Sequence, residues 1–436
     1  MRSASASEKA SQTGPSAPSA TSSSATSGAP TTSSSGTAAP SGTVAPSGIG
    51  SVPTTAHPKT PFLPSLEGLR AIACSGIIIT HVAFQTGTDT GSLINQIMAR
   101  TDFFVPVFFA LSGFLLWRRQ HVQFRNRRGV ASYYVKRLGR IMPAAWVMML
   151  FVFLFLPVAD NPSAKQIVEN LLMAQVYFAD GLVGGMTHLW SLSVELTFYL
   201  VLPLIALLIG KQPRWRRVLV IAALGLISYY WAFLPPFTGE LEPGRVNPHT
   251  MPPAFAAWFA IGFLSAEAEA WVLGNPERSR RLVAALYRLR PLFWLIALAA
   301  LVVAAMDGPQ GLVQATPAEF ARRTIYGTVF AAALITPYAL APRSAFLESA
   351  PMQALGRWSY AIFLWHIAIL SVVFPLLGVP MFSGNHVHTV IVMIATFMLT
   401  VPVAALSYAL VEEPARVGIN KMWAKYTAST TASSAS

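Results

Sequence analysis

What most constrains this chain is the repeated return of long apolar runs. They lie near residues 66–85, 103–117, 140–158, 189–209, 217–235, 253–272, 291–306, 323–341, 358–378 and 389–411. Most approach the roughly 20 residues with which an α-helix crosses about 30 Å of hydrocarbon; the second is short. Only 11% of the 436 residues are charged, against about 25% in soluble domains, so most of the surface has to face lipid. The expected fold is all-α: a polytopic integral membrane helical bundle of about ten transmembrane helices, multi-pass in the cell membrane, with the lipid bilayer as its first partner. A weaker amphipathic run, 165–178, carries Lys165, Glu169 and Asn170 and reads as an interfacial helix.

Positive charge orients the bundle. With the N-terminus in the cytoplasm, 26 of the 31 Lys and Arg residues fall on the inner side; Arg100, Lys165, Arg245, Arg322 and Arg323 fall on the outer. That split calls for an even number of spans and places both termini in the cytoplasm. It also accounts for the net charge of +13 without a nucleic-acid partner. Residues 1–60 are Ser, Ala, Thr, Pro and Gly with few large apolar side chains. Such a segment cannot offset its ordering entropy and reads as a disordered cytoplasmic tail. It has no apolar core behind its first basic residues and so is not a secretory signal. Residues 61–416 form the membrane domain and 417–436 a short cytoplasmic tail. Cys74 is the single cysteine. It permits no intrachain disulfide, and in its apolar run it reads as a packing residue.

Ionisable groups inside spans cost free energy and usually line a polar cavity. Arg70 stands at the inner mouth of the first span and His81 eleven residues further on, about 16 Å along a helix axis. That spacing is close to three turns and puts both on one face. A purely structural histidine, hydrogen-bonded between helices, is the competing reading. In the second span Ser112 and Gly113 are small enough for close helix approach. The loop after it carries Arg118, Arg119, Arg125, Arg127 and Arg128, followed by Lys136, Arg137 and Arg140. Part of this is the inner-side bias. Arg137 and Arg140, three apart, are also neighbours on a helix, and paired guanidinium groups suit phosphate. His188 and Glu195 are seven apart, nearly in phase, with Tyr199 one turn on. A carboxylate at that depth calls for a partner, and contact between Glu195 and His81 would make an acid/base pair. Ser359 and His366 are also seven apart, with Tyr360 beside the first. Glu267 and Glu269 read as interfacial, and His386 and His388, in an outer loop without a carboxylate partner, as a weak metal site. No Gly-x-Ser-x-Gly arrangement supports a serine nucleophile, and no HExxH motif a metal enzyme; no metal is expected.

These blocks, in this order over residues 62–416, resemble the acyltransferase-3 family of polytopic membrane acyltransferases. The matching pieces are Glu67-Gly68-Leu69-Arg70 with His81, Phe108-Phe109-Ala110-Leu111-Ser112-Gly113-Phe114-Leu115 and Arg137-Leu138-Gly139-Arg140. Leu189 to Glu195 followed by Phe198-Tyr199, Ser359-Tyr360 with Leu364-Trp365-His366, and Glu412-Glu413-Pro414 complete the set. Glu67 stands where the family usually has Asp, which keeps the charge. Some members carry an extra span and a fused extracytoplasmic esterase-like domain; this chain looks like the stand-alone form, so a second transfer step outside would need an extracytoplasmic partner.

The resemblance implies acyl transfer from a cytoplasmic acyl-CoA, commonly acetyl-CoA, to a hydroxyl of a carbohydrate, glycolipid or glycosylated metabolite outside. On that reading Arg70, Arg137 and Arg140 hold the co-substrate's phosphates. His81 acts as base or acyl relay, and Glu195 orients or charges it. Ser112, Tyr199, Tyr360 and His366 are the candidate substrate contacts. The alternative from another class is a transporter or flippase for a glycolipid or small acidic metabolite, which would also want a buried His, a Glu and a basic inner mouth.

Overall fold

The computed structural model describes residues 62–119, 124, 126–235, 246–309 and 313–433. The reading of residues 1–60, and of Arg125 and Arg245, falls outside them. Among the described residues the chain is all-helical. The elements that occupy the expected spans are α1 (Pro64–Gln85), α2 (Leu93–Arg100) with α3 (Phe104–Trp117), α4 (Arg127–Phe155), α6 (Trp190–Ile209), α7 (Arg214–Trp231), α8 (Ala256–Gly274), α10 (Arg290–Met306), α11 (Pro317–Leu340), α12 (Ala350–Leu377) and α13 (His386–Ser407). Shorter or terminal helices are α5 (Ala164–Leu171), α9 (Pro276–Arg288) and α14 (Glu413–Ser433). Among the described residues seven helical stretches are long and apolar enough to cross a membrane, and the count is eight if the pair α9–α10, bent by 59°, is taken as one span. The protein is a multi-pass membrane protein, and ten is an approximate count. α7 and α11 form where expected but are not among the seven.

Several boundaries differ from expectation for a common reason: hydropathy stops at a charge, whereas a helix does not. α4 starts at Arg127, not near residue 140. Asn126 caps it, its side chain accepting from Gly129 N at 2.8 Å, and so Lys136, Arg137 and Arg140 lie within the helix. The second span is not short. α2 continues through a 3₁₀ turn at Thr101–Phe103 into α3, with buried Arg100 inside the run. Beyond α13 a five-residue π-helix, Tyr408–Glu412, leads into α14, so the stretch read as a polar tail is helical to Ser433.

Ion pairs at the two ends show consecutive spans running antiparallel. At one end, Arg118 from the end of α3 chelates Glu269 with 2.5 and 2.7 Å bonds. Arg217, near the start of α7, does the same to Glu267 at 2.7 and 2.6 Å, and Trp117 Nε1 donates to Glu267 at 2.7 Å. At the other end Arg323 pairs with Asp102, and Arg322 with Asp307 at 2.6 Å. Glu267 and Glu269, expected at the interface, are therefore buried structural ions. Three helix ends converge there, and each carboxylate is satisfied by a guanidinium brought from another helix. The small residues of α3 act as their size allows. A Cβ on Gly113 would lie 2.6 Å from the Phe259 carbonyl of α8, so glycine sets how closely α3 and α8 approach.

Candidate functional site

One cavity gathers most of the expected residues. It is lined by Arg70, Arg137, Arg140, Ser112, Glu195, Tyr199 and Tyr360, with Ser359 and Phe363 among the others, and holds about 100 Å³. α1 brings Arg70 to α12, where its Nε donates to Ser359 Oγ at 3.0 Å. The helices can come this close because Gly356 faces the backbone of Glu67; any side chain there would push them apart. α4 supplies the other two guanidinium groups. Arg137 lies over the Tyr199 ring, 5.2 Å from its centre. Arg140 reaches Glu412 at 3.8 Å and keeps 39% of its side-chain exposure. Glu412 sits in the π-helix, a distortion often found at functional sites. α6 supplies Glu195, which accepts from Ser112 and Tyr199; these two hydroxyls are 3.1 Å apart. Tyr360 donates to the Ile141 carbonyl at 2.7 Å. Three cations against two carboxylates leave this cavity net positive, so it fits a phosphate-bearing ligand. Its volume is below the roughly 300 Å³ at which ligand pockets begin. It has room for a small group only.

His81 and His366 do not line this cavity. They meet His188 in a trio of rings. His81 is 5.2 Å from His366 and 6.5 Å from His188, and the latter two are 4.7 Å apart, centre to centre. α1 is continuous, so Arg70 and His81 share its face as their spacing required, one in the cavity and one in the trio. α12 repeats the arrangement with Ser359 and His366. His366 Nδ1 donates to the Phe363 carbonyl at 2.7 Å and His188 Nε2 to the Leu364 carbonyl at 3.2 Å. The remaining nitrogens, His366 Nε2 and His188 Nδ1, are buried without partners. Among the described residues no three metal-ligating side chains are placed to hold an ion. Phe363 touches both sites: it lines the cavity and its ring lies 5.0 Å from His188 and 5.9 Å from His366.

The contact sketched between His81 and Glu195 does not form. Glu195 is engaged by Ser112 and Tyr199 instead. The reason is packing: α6 turns Glu195 towards Ser112 of α3, while His81 faces His188 and His366. His188 lies in a 3₁₀ turn, Thr187–Leu189, ahead of α6. A 3₁₀ turn holds 3.0 residues rather than 3.6, so the seven-residue phase between His188 and Glu195 is not that of one α-helix. Sequence reasoning missed Asp102, Phe363 and the meeting of three histidines. The spacing of Ser359 and His366 was a signal for the last of these. For Asp102 there was none, since it follows an apolar-poor stretch.

With this geometry in view, comparison with known proteins is decisive at the level of family. The acyltransferase-3 model, described as an acyltransferase domain, matches residues 63–408. The chain belongs to the acyltransferase-3 family. It is 25% identical over 381 residues to peptidoglycan O-acetyltransferase OatA of Listeria monocytogenes, covering 81% of this chain and 56% of that protein. It is 29% identical over 343 residues to acyltransferase MdmB of Streptomyces mycarofaciens, covering 74% of this chain and 82% of the other. O-acetyltransferase OatA of Staphylococcus aureus is 25% identical over 380 residues, with 81% and 57% covered. The chain thus spans little more than half the length of the OatA relatives. No solved structure matches it.

Proposed function

We propose that this protein is a membrane O-acyltransferase. It moves an acyl group, acetyl in the first instance, from acyl-CoA to a hydroxyl of a carbohydrate, glycolipid or glycosylated metabolite across the membrane. The observation that carries this reading is the net-positive cavity of Arg70, Arg137 and Arg140, joined through Phe363 to a buried histidine trio, in a chain of this family. The positive-inside distribution assigns the arginine end to the cytoplasm, where the donor's phosphates would dock. His81 takes the acceptor hydroxyl's proton while its oxygen attacks the thioester carbonyl. The carbon–sulfur bond breaks, and the departing thiolate receives the proton. The bare nitrogens of His188 and His366 stabilise the charge on His81 meanwhile. Glu195, through Ser112 and Tyr199, keeps the cavity wall polar and in place.

Purified protein given acetyl-labelled acetyl-CoA and cell-envelope glycans is expected to release CoA and yield labelled glycan. Neither product would appear if the protein were a transporter, and that outcome overturns the proposal. In the same assay Arg137→Gln is expected to raise KM for acetyl-CoA by about 10–100-fold with kcat little changed. That is the loss of one charge-assisted hydrogen bond of roughly 1.5–3 kcal/mol. An unchanged KM would remove Arg137 from donor binding.

A further inference from the structure

A second cavity, of about 280 Å³, opens at the end of the bundle opposite Glu267 and Glu269. It is lined by Trp190, Phe255, Trp258 and Phe320 together with Asp102 and His249. The aromatic rings form a continuous wall: Trp190 to Phe255 is 5.2 Å and Phe255 to Trp258 is 4.9 Å between centres. His249 stacks on Phe320 at 4.2 Å. Two polar atoms in this lining, Asp102 Oδ1 and His249 Nε2, are buried with no hydrogen-bond partner. Nearly all buried polar atoms in folded proteins are paired, so orphans that line a cavity mark where a ligand's groups would go. Asp102's other oxygen is taken by Arg323, and Arg100 stands 4.0 Å from it. The carboxylate is thus held in place and its charge is matched.

The cavity adjoins the arginine cavity. Val105 lines both. Phe109, in the arginine cavity, lies 5.8 Å from Phe255 and 6.1 Å from Trp258. The 3₁₀ turn and the start of α6 serve all three places: His188 in the trio, Trp190 in the outer cavity and Ser191 in the inner one.

We infer that the outer cavity is an acceptor subsite for one uncharged pyranose ring. The weakly positive C–H face of a sugar packs against the electron-rich faces of aromatic rings. Its hydroxyls supply the hydrogen bonds that Asp102 Oδ1 and His249 Nε2 lack. The volume is close to the roughly 300 Å³ of the smallest ligand pockets, room for a single ring. Arg323 also lines the cavity but is spent on Asp102, so neither charge calls for an ionic ligand, and an alkyl chain would leave both polar atoms unpaired. Burial, and secondarily the charge of Arg323, pushes the His249 imidazole down to about 4. It is therefore neutral above about pH 5, and sugar binding is expected to be flat between pH 6 and 8. The word acceptor rests on the acyl-transfer reading; the sugar site itself does not.

The test is ligand-observed NMR titration of the full chain in nanodiscs with N-acetylglucosamine, methyl glucoside and methyl mannoside, using glycerol as a hydroxyl-only control. Saturable binding of at least one pyranoside but not of glycerol is expected. It should weaken about tenfold or more in Asp102→Asn, which loses a charge-assisted hydrogen bond, and about tenfold in His249→Ala, which loses a neutral one. A melting curve confirms that each variant folds. Should Asp102→Asn unfold through loss of the Arg323 pair, His249→Ala decides alone. No saturable pyranoside binding, equal binding of glycerol, or binding unaffected in folded variants overturns the inference. Acetyl-CoA turnover, measured on the same preparation, separates the two readings. Pyranoside binding without turnover keeps the sugar site and refutes acyl transfer, and turnover without pyranoside binding does the reverse.

Discussion

Alanine in place of His81 is expected to lower acyl transfer by roughly 10²–10⁴-fold, the contribution of a positioned general base, while the protein still inserts and folds. Folding should survive because His81 makes ring contacts in the trio but no hydrogen bond on which a neighbour depends; His188 and His366 hold their orientation through the Leu364 and Phe363 carbonyls. The measurement is label transfer from acetyl-CoA by purified variant and wild type at equal concentration, with KM and kcat separated. A loss in kcat at unchanged KM for the donor places His81 at the chemical step and apart from the arginine cavity. Full activity in the folded variant would refute its assignment.

The second large effect concerns folding. Glu267→Ala is expected to destabilise the protein by about 3–5 kcal/mol, the loss typical when one partner of a buried ion pair is removed. Glu267 is buried and accepts three hydrogen bonds, two from Arg217 and one from Trp117. Without it Arg217, with only 16% of its side chain exposed, keeps a single bond, to the Gln212 carbonyl, and Trp117 Nε1 loses its acceptor. Thermal unfolding in detergent reads the effect. The double variant Arg217→Ala/Glu267→Ala should recover part of the loss, because the uncompensated charge is then gone. A double variant as unstable as the sum of the singles would show that the two residues act independently.

How much was legible without the fold follows from what each signal measures. Hydropathy measures a local property, and it located each transmembrane helix to within a few residues wherever the run was uninterrupted, as in α1, α6 and α8. It failed where charge enters a helix. Arg100 hid the continuation of α3 into α2, and Lys136, Arg137 and Arg140 hid the first half of α4, although Asn126 was a readable cap. Periodicity fixes a side chain's direction on its own helix. That was enough to put Arg70 and His81 on one face of α1.

The sequence by itself therefore determined an all-helical membrane bundle, its antiparallel succession of spans and the family. Only the tertiary structure decided which residues meet. Periodicity says that His81 points away from the α1 axis along a given line, but the partner on that line depends on which helix packs there and at what height. Those are set by long-range contacts: glycine at 356 letting α1 settle on α12, glycine at 113 drawing α3 onto α8, and buried ion pairs locking the ends. Hence the Glu195 that its depth in the membrane offered to His81 belongs to the arginine cavity. His188 and His366, from two other helices, stand beside His81 instead.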